Sequence, residues 1–118
     1  MVIQQSDRSQ AIQDLIELQD FRDYYLETQL LAVKIFDRYL YLIYEEKIPV
    51  KIPNLHILVC TCLLIAAKFE QPKKPDFINM TNAYKELKGI VILKEDLIKM
   101  EKRILTQFGF DFNLPNPI

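Results

Sequence analysis

An apolar run near the middle of the chain constrains the fold more than any other feature. Residues 54–67 carry no charged side chain and one histidine, His56, and the run ends in the charged Lys68. Its apolar residues fall on every side of a helix, which is typical of a helix at the centre of a bundle. The run is too short for a bilayer, which needs about 18 or more apolar residues. The residues expected to be almost inaccessible are Leu58, Cys62, Leu63, Ile65 and Ala66.

The composition fits one compact domain and excludes several kinds of site. The 118 residues are 50% hydrophobic with a formal net charge of −1, which suits a single unit with a sizeable core. The chain has two glycines, Gly89 and Gly109, too few for a dinucleotide fingerprint or a phosphate-binding loop. With one histidine as well, the sequence predicts no enzyme, cofactor, metal site or small-molecule substrate.

The cysteines and the first residues indicate where the protein works. Cys60 and Cys62 lie two positions apart on the apolar helix and point away from each other, so they cannot bridge or share one metal. We interpret them as reduced core residues of an intracellular protein. The chain also runs directly into polar residues after Ile3, unlike a secretory signal peptide.

Prolines, glycines and capping residues divide the chain into five predicted helices without a strand. Ser6 and Asp7 are candidate caps of the first helix, Gly89 marks a turn region, and Gly109 closes the last helix. The approximate limits are residues 6–21, 27–44, 54–67, 75–82 and 94–108. The third helix is expected to be enclosed by the others.

Several charges fall among the apolar positions of these helices. Glu101 lies within the packing face of the fifth helix, Asp37 within the stripe of the second, and Arg8 one turn before the apolar face of the first. Because an unpaired buried charge costs several kcal/mol, we expect Arg8 to pair with Asp37 and Lys68 with Glu101. Removing one partner of a buried Arg8–Asp37 pair should cost about 3–5 kcal/mol. The second-helix stripe is expected to contain Leu30, Val33, Leu40 and Tyr44. The first-helix face is expected to contain Ile12, Leu15 and Ile16.

Three segments closely resemble the hallmark segments of the cyclin box, the N-terminal repeat of cyclins. They are LAVKIFDRYL at residues 31–40, LLIAAKFE at residues 63–70 and MEKRIL at residues 100–105. The segments occur in the order and at the spacing of the family, and the resemblance covers about residues 7–117. It implies an all-α bundle of five helices around a buried third helix. It further implies one cyclin box over residues 1–118 and a location in the nucleus or cytoplasm. The sequence contains no second cyclin box, so it is either a fragment of a two-box cyclin or a protein that works with one box.

The resemblance also implies a function, that of a non-catalytic subunit which binds and activates a cyclin-dependent serine/threonine protein kinase. In cyclins, a lysine and a glutamate grip the main chain near the regulatory C-helix of the kinase and push that helix inward. The corresponding surface here, with the two residues that follow the lysine, comprises Lys68, Phe69, Glu70 and Glu101. Arg8 and Asp37 correspond to the structural ion pair of the family. Periodicity alone favours a Lys68–Glu101 salt bridge that only closes the bundle, whereas the resemblance favours kinase binding.

The chain departs from the family at the patch that docks substrates. Cyclins with this patch carry Met-Arg-x-x-Leu-x-x-Trp on the first helix, whereas the positions here hold Asp7, Arg8, Ala11 and Asp14. The glutamine expected on the third helix is His56. Acidic residues in place of large apolar groups remove the desolvated anchor that docking needs, which makes recruitment through this patch unfavourable.

Two other classes of function are alternatives to kinase activation. A DNA-binding cyclin-fold module needs a basic surface, but 15 Lys and Arg stand against 16 Asp and Glu. An adaptor that holds a larger assembly together without activating a kinase would explain both the altered patch and the single box. Co-purification of a kinase catalytic subunit from the native cell favours the activator, and its absence favours the adaptor.

Overall fold

The described part of the chain is a bundle of five helices without a strand. The computed structural model describes residues 5–45, 52–72 and 76–107. The helices are α1 (Gln5–Phe21), α2 (Leu26–Glu45), α3 (Ile52–Glu70), α4 (Phe77–Lys88) and α5 (Lys94–Gln107). α3 packs against each of the other four helices. The predicted all-helical fold around a central third helix is therefore confirmed.

The middle of α3 is a continuous stretch of buried residues. Every residue from 58 to 67 is at most 2% exposed, as its apolar sequence predicts. Thr61 donates its hydroxyl hydrogen to the Ile57 carbonyl at 2.7 Å, which satisfies the polar side chain in this buried run. Cys60 and Cys62 are free and buried, and desolvation raises the pKa of each thiol. Both stay protonated at neutral pH and act as small apolar side chains.

Three helices begin earlier than the sequence predicts, and α2 does so by a single residue, at Leu26. Ser6 and Asp7 lie inside α1 rather than at its cap, and Asp7 is in the first turn, where a negative charge is favourable beside the helix N-terminus. α3 includes Pro53, because proline in the first turn removes an N–H group that has no helical partner there. α3 also continues through Lys68 to Glu70. The predicted close of α5 at Gly109 lies outside the described residues.

α4 is longer than predicted at its C-terminal end. It passes Asn82 and stops at Gly89, whose φ of 70° is the left-handed conformation that favours glycine. The Gly89 N–H donates to the Lys85 carbonyl at 2.8 Å and closes the last turn. At the other end, the Asp76 carboxylate accepts from the Asn79 backbone N–H at 2.7 Å. Both ends of α4 are therefore fixed by local capping.

The buried face of α2 differs from the predicted stripe. Leu30 is 51% exposed, because the start of α2 is oriented by Gln71, the residue after α3. The Gln71 Oε1 atom accepts from the Tyr25 N–H at 2.6 Å and from the Thr28 hydroxyl at 2.9 Å. Thr28 is therefore directed toward α3, and the positions on its face of the helix follow it into the core. Within residues 26–41, the part of α2 whose side chains the structure describes, the buried residues are Thr28, Ala32, Ile35, Phe36 and Tyr39.

Candidate protein-docking surface

The end of α3 and the middle of α5 bring together the two charges singled out in the sequence. The Lys68 Nζ atom lies 2.7 Å from the Glu101 Oε2 atom. The Lys68 side chain is 39% exposed and the Glu101 side chain 17% exposed. Lys68 is in the last turn of α3, where a cation is stabilised by the partial negative charge of the helix C-terminus. The pair is thus an oriented donor and acceptor that both reach the surface.

Aromatic side chains accompany this ion pair. The Lys68 Nζ atom lies 4.9 Å from the ring centroid of Phe77, the first residue of α4. Phe69 follows the lysine and is 56% exposed, and Glu70 beyond it is exposed. We use the name docking surface for Lys68, Phe69, Glu70, Phe77 and Glu101. Sequence reasoning missed Phe77, because its place depends on how α4 returns past the end of α3.

Arg8 and Asp37 join α1 to α2 through a two-pronged ion pair. The Asp37 Oδ1 atom accepts from Arg8 Nε at 3.0 Å and from Nη2 at 2.7 Å, and Oδ2 accepts from Nη2 at 2.8 Å. Their side chains are 37% and 41% exposed, so the expectation of a buried pair is wrong. The orientation of α2 explains the difference, since it turns Ile35 and Phe36 toward the core and leaves Asp37 at the edge.

Replacing Asp37 by alanine should therefore lower the free energy of unfolding by about 1–2 kcal/mol, not by the amount typical of a buried pair. Arg8 would keep access to water and would not become a desolvated, unpaired charge. Urea denaturation followed by circular dichroism measures the loss. Arg8→Ala should cost about as much, and the double variant should cost less than the sum of the two. A loss above about 3 kcal/mol would show that the pair is effectively buried.

A second ionic cluster joins α1 to α4 and was not predicted. The Asp14 carboxylate, with 6% of its side chain exposed, lies 2.8 Å from Lys88 Nζ and accepts from Gln10 Nε2 at 2.9 Å. Lys88 also pairs with Glu17. A signal in the sequence could have identified the burial of Asp14. Ala11, Leu15 and Leu18 recur at helical spacing, and position 14 lies on the same face of α1. These residues line the buried side of α1, while Ile12 and Ile16 of the expected face are half-buried.

The positions that depart from the cyclin docking patch line a small pocket between α1 and α3. Its volume is about 100 Å³, and its walls are Asp7, Gln10, Ala11, Asp14, Leu55, His56 and Val59. Two carboxylates thus stand in the pocket where large apolar groups were expected for substrate docking. The pocket therefore offers a polar wall in place of an apolar anchor.

His56 in this pocket is half-buried and bonded within the protein. Its Nδ1 atom lies 2.6 Å from the Tyr84 hydroxyl oxygen. Burial raises the pKa of Tyr84, so this hydroxyl keeps its proton at neutral pH. Which of the two groups donates the hydrogen bond depends on the tautomer of the imidazole. Across the described ranges, no group of three or more His, Cys, Asp or Glu residues is placed to hold a metal ion.

A helix that crosses a bilayer must be both long enough and sufficiently apolar. None of the helices in residues 5–45, 52–72 and 76–107 meets both requirements.

Comparisons with known proteins identify the family to which this helical bundle is similar. Residues 1–113 match the family described as "Cyclin, N-terminal domain". The S-phase entry cyclin-6 of Saccharomyces cerevisiae is 33% identical over 116 residues, covering 98% of this chain and 28% of that protein. The G2/mitotic-specific cyclin-B3 of Gallus gallus is 35% identical over 107 residues, covering 87% and 23%. Cyclin-A1-2 of Arabidopsis thaliana is 33% identical over 117 residues, covering 96% and 24%.

The chain belongs to the cyclin family and carries its N-terminal domain. This confirms the resemblance drawn from the three sequence segments. The chain spans about a quarter of the length of these three relatives, at 28%, 23% and 24%.

Proposed function

We propose that this chain is the kinase-binding domain of a regulatory cyclin, which binds and activates a cyclin-dependent serine/threonine protein kinase. The observation that carries the proposal is the Lys68–Glu101 pair, held at 2.7 Å where α3 and α5 meet and partly exposed to solvent. The family membership of the chain supports the same reading, as do the cell-cycle stages in the names of its relatives. The chain supplies no catalytic group in this proposal, since the kinase carries the chemistry.

The docking surface suits the recognition of a partner's main chain. The Lys68 ammonium can donate to a backbone carbonyl, while the Glu101 carboxylate can accept from a backbone N–H. The exposed ring of Phe69 adds apolar area beside these two charged groups. Docking on the C-helix of the kinase would press that helix inward. The helix glutamate then pairs with the ATP-binding lysine, a contact that an active kinase requires.

The test is reconstitution with a purified cyclin-dependent kinase catalytic subunit that carries no cyclin. We expect one-to-one binding by titration calorimetry and a strong rise in phosphate transfer to a protein substrate when this chain is added. Binding without a rise in phosphate transfer would support the adaptor function instead. Absence of both across a panel of such catalytic subunits would contradict the proposal.

A further inference from the structure

The docking surface contains one side chain whose role the family comparison does not assign. Phe77 presents its ring to the ammonium group of Lys68, with 4.9 Å between Nζ and the ring centroid. We propose that Phe77 is a positioning residue, which holds Lys68 ready for its partner. This inference rests on the proposed kinase-binding function and adds a third helix, α4, to the elements that build the site.

Lys68 needs more than its ion pair to be held in one direction. A lysine side chain has a flexible four-carbon stem, and its ammonium is a compact charge that turns freely about a single carboxylate. Glu101 constrains Nζ from α5, and Phe77 constrains it from α4. The face of an aromatic ring attracts a cation electrostatically. Two contacts from two different helices therefore restrict the ammonium far more than either contact alone.

Phe77 is itself well anchored. It is partly buried and packs against the hydrophobic core. It is also the first residue of α4, directly after the cap Asp76, which accepts from the Asn79 N–H at 2.7 Å. The capping interaction fixes the start of the helix, and the core contacts fix the ring. A rigid neighbour reduces the conformational entropy that Lys68 would lose on binding, which is the physical basis of preorganisation.

Phe77→Leu and Phe77→Tyr separate the aromatic contact from simple packing. Leucine retains an apolar side chain against the core but lacks the ring, whereas tyrosine retains the ring. Phe77→Leu should weaken kinase binding roughly 2- to 5-fold, the affinity equivalent of an exposed cation–π contact. Phe77→Tyr should bind like the parent. Phe21→Leu is the matched control, since Phe21 is a 47% exposed phenylalanine at the end of α1, and it should leave binding unchanged.

A Lys68→Met background tests whether Phe77 acts through the lysine. Without the ammonium, Phe77→Leu should cause no further loss of binding. NMR adds a readout that needs no kinase. The ε-methylene protons of Lys68 should be shifted upfield by the ring in the parent and in Phe77→Tyr, and should return toward ordinary lysine values in Phe77→Leu. Thermal unfolding of each variant checks that the fold is retained.

The outcomes separate this inference from the proposed function. If the parent itself does not bind the kinase, the proposed function fails, and the NMR shift still decides whether Phe77 positions the lysine. If the parent binds and Lys68→Met binds equally well, the proposed function stands, but Lys68 is not a docking residue and the positioning role of Phe77 is overturned. If Lys68→Met weakens binding but Phe77→Leu does not, the positioning role is overturned. An equal effect of Phe77→Leu in the parent and in the Lys68→Met background would also overturn it, because Phe77 would then act independently of the lysine.

Discussion

Replacing Lys88 by alanine should lower the free energy of unfolding by about 3 kcal/mol. The Lys88 Nζ atom lies 2.8 Å from the Asp14 carboxylate, whose side chain is only 6% exposed. Without the lysine, Asp14 would keep its hydrogen bond from Gln10 but would lose its buried counter-charge. Removing one partner of such a pair is costly because the other charge stays desolvated. Urea denaturation followed by circular dichroism measures the change.

Two further variants identify the cause of that loss. Lys85→Ala removes an exposed lysine one turn earlier on α4 and should change stability by no more than about 0.5 kcal/mol. The double variant Lys88→Met with Asp14→Leu should recover most of the loss, because neither charge then remains buried. If Lys88→Ala were as mild as Lys85→Ala, the ionic cluster would not support the fold.

The Lys88 contribution should also depend on pH in the alkaline range. Hydrogen bonds to Asp14 and Glu17 raise the pKa of Lys88 above its ordinary value of 10.5. A group with a raised folded-state pKa stabilises the fold fully below the unfolded value and loses that effect as pH rises through the folded value. The stability difference between the parent and Lys88→Ala should therefore be constant near neutral pH and shrink above pH 10.5. Taking the difference cancels the titration of tyrosines common to both proteins.

The sequence predicts the helices and their centre because both are local properties. An apolar run with charges only at its ends is most stable at the centre of a bundle. α3 lies there, and its residues 58–67 are at most 2% exposed. The pairings of Arg8 with Asp37 and of Lys68 with Glu101 follow from charges that fall within or beside apolar faces. Both pairs lie within hydrogen-bonding distance in the structure.

Burial and partner choice between helices were harder to predict, because they depend on how each helix is rotated. The hydrogen bonds of Gln71 at the end of α3 set the orientation of α2, and hence expose Leu30 and the Arg8–Asp37 pair. α2 has apolar residues at helical spacing on two faces, Leu30, Val33 and Leu40 on one and Ala32, Ile35, Phe36 and Tyr39 on the other, and periodicity alone does not decide which face is buried. The Lys88 cluster likewise depends on α4 reaching Lys88, beyond the limit that the sequence predicted for this helix.

The contact between Phe77 and Lys68 shows the same limit at the docking surface. It requires the start of α4 to lie against the end of α3. Those ends are separated in the sequence by residues 71–76, of which 73–75 lie outside the described ranges. The family resemblance supplies the charged pair but not its aromatic neighbour. A site inferred by resemblance can therefore be incomplete even where the inferred residues do come together.

Lys68→Ala and Glu101→Ala should each weaken kinase binding by about 2–5 kcal/mol, which is roughly 30-fold or more in affinity. Each truncation would leave polar main-chain groups of the kinase without partners at a desolvated contact. The fold should lose less for Lys68→Ala than for Lys88→Ala, about 1–2 kcal/mol, because the carboxylate left without its partner, Glu101, has 17% of its side chain exposed against 6% for Asp14. Titration calorimetry and urea denaturation on the same samples measure both quantities. Lys99→Ala is the matched control, an exposed lysine two positions before Glu101 and hence on another side of α5.

The charge exchange Lys68→Glu with Glu101→Lys distinguishes a docking pair from a salt bridge that only closes the bundle. The exchanged pair can still attract across α3 and α5, so stability should stay close to that of the parent. Donor and acceptor would, however, face the kinase main chain at interchanged positions, and binding should remain as weak as in the single alanine variants. If binding recovered with stability, the pair would act only through the fold. Stability lost with binding unchanged in the alanine variants would contradict docking in the same way, since a group that grips a partner cannot be removed without loss of affinity.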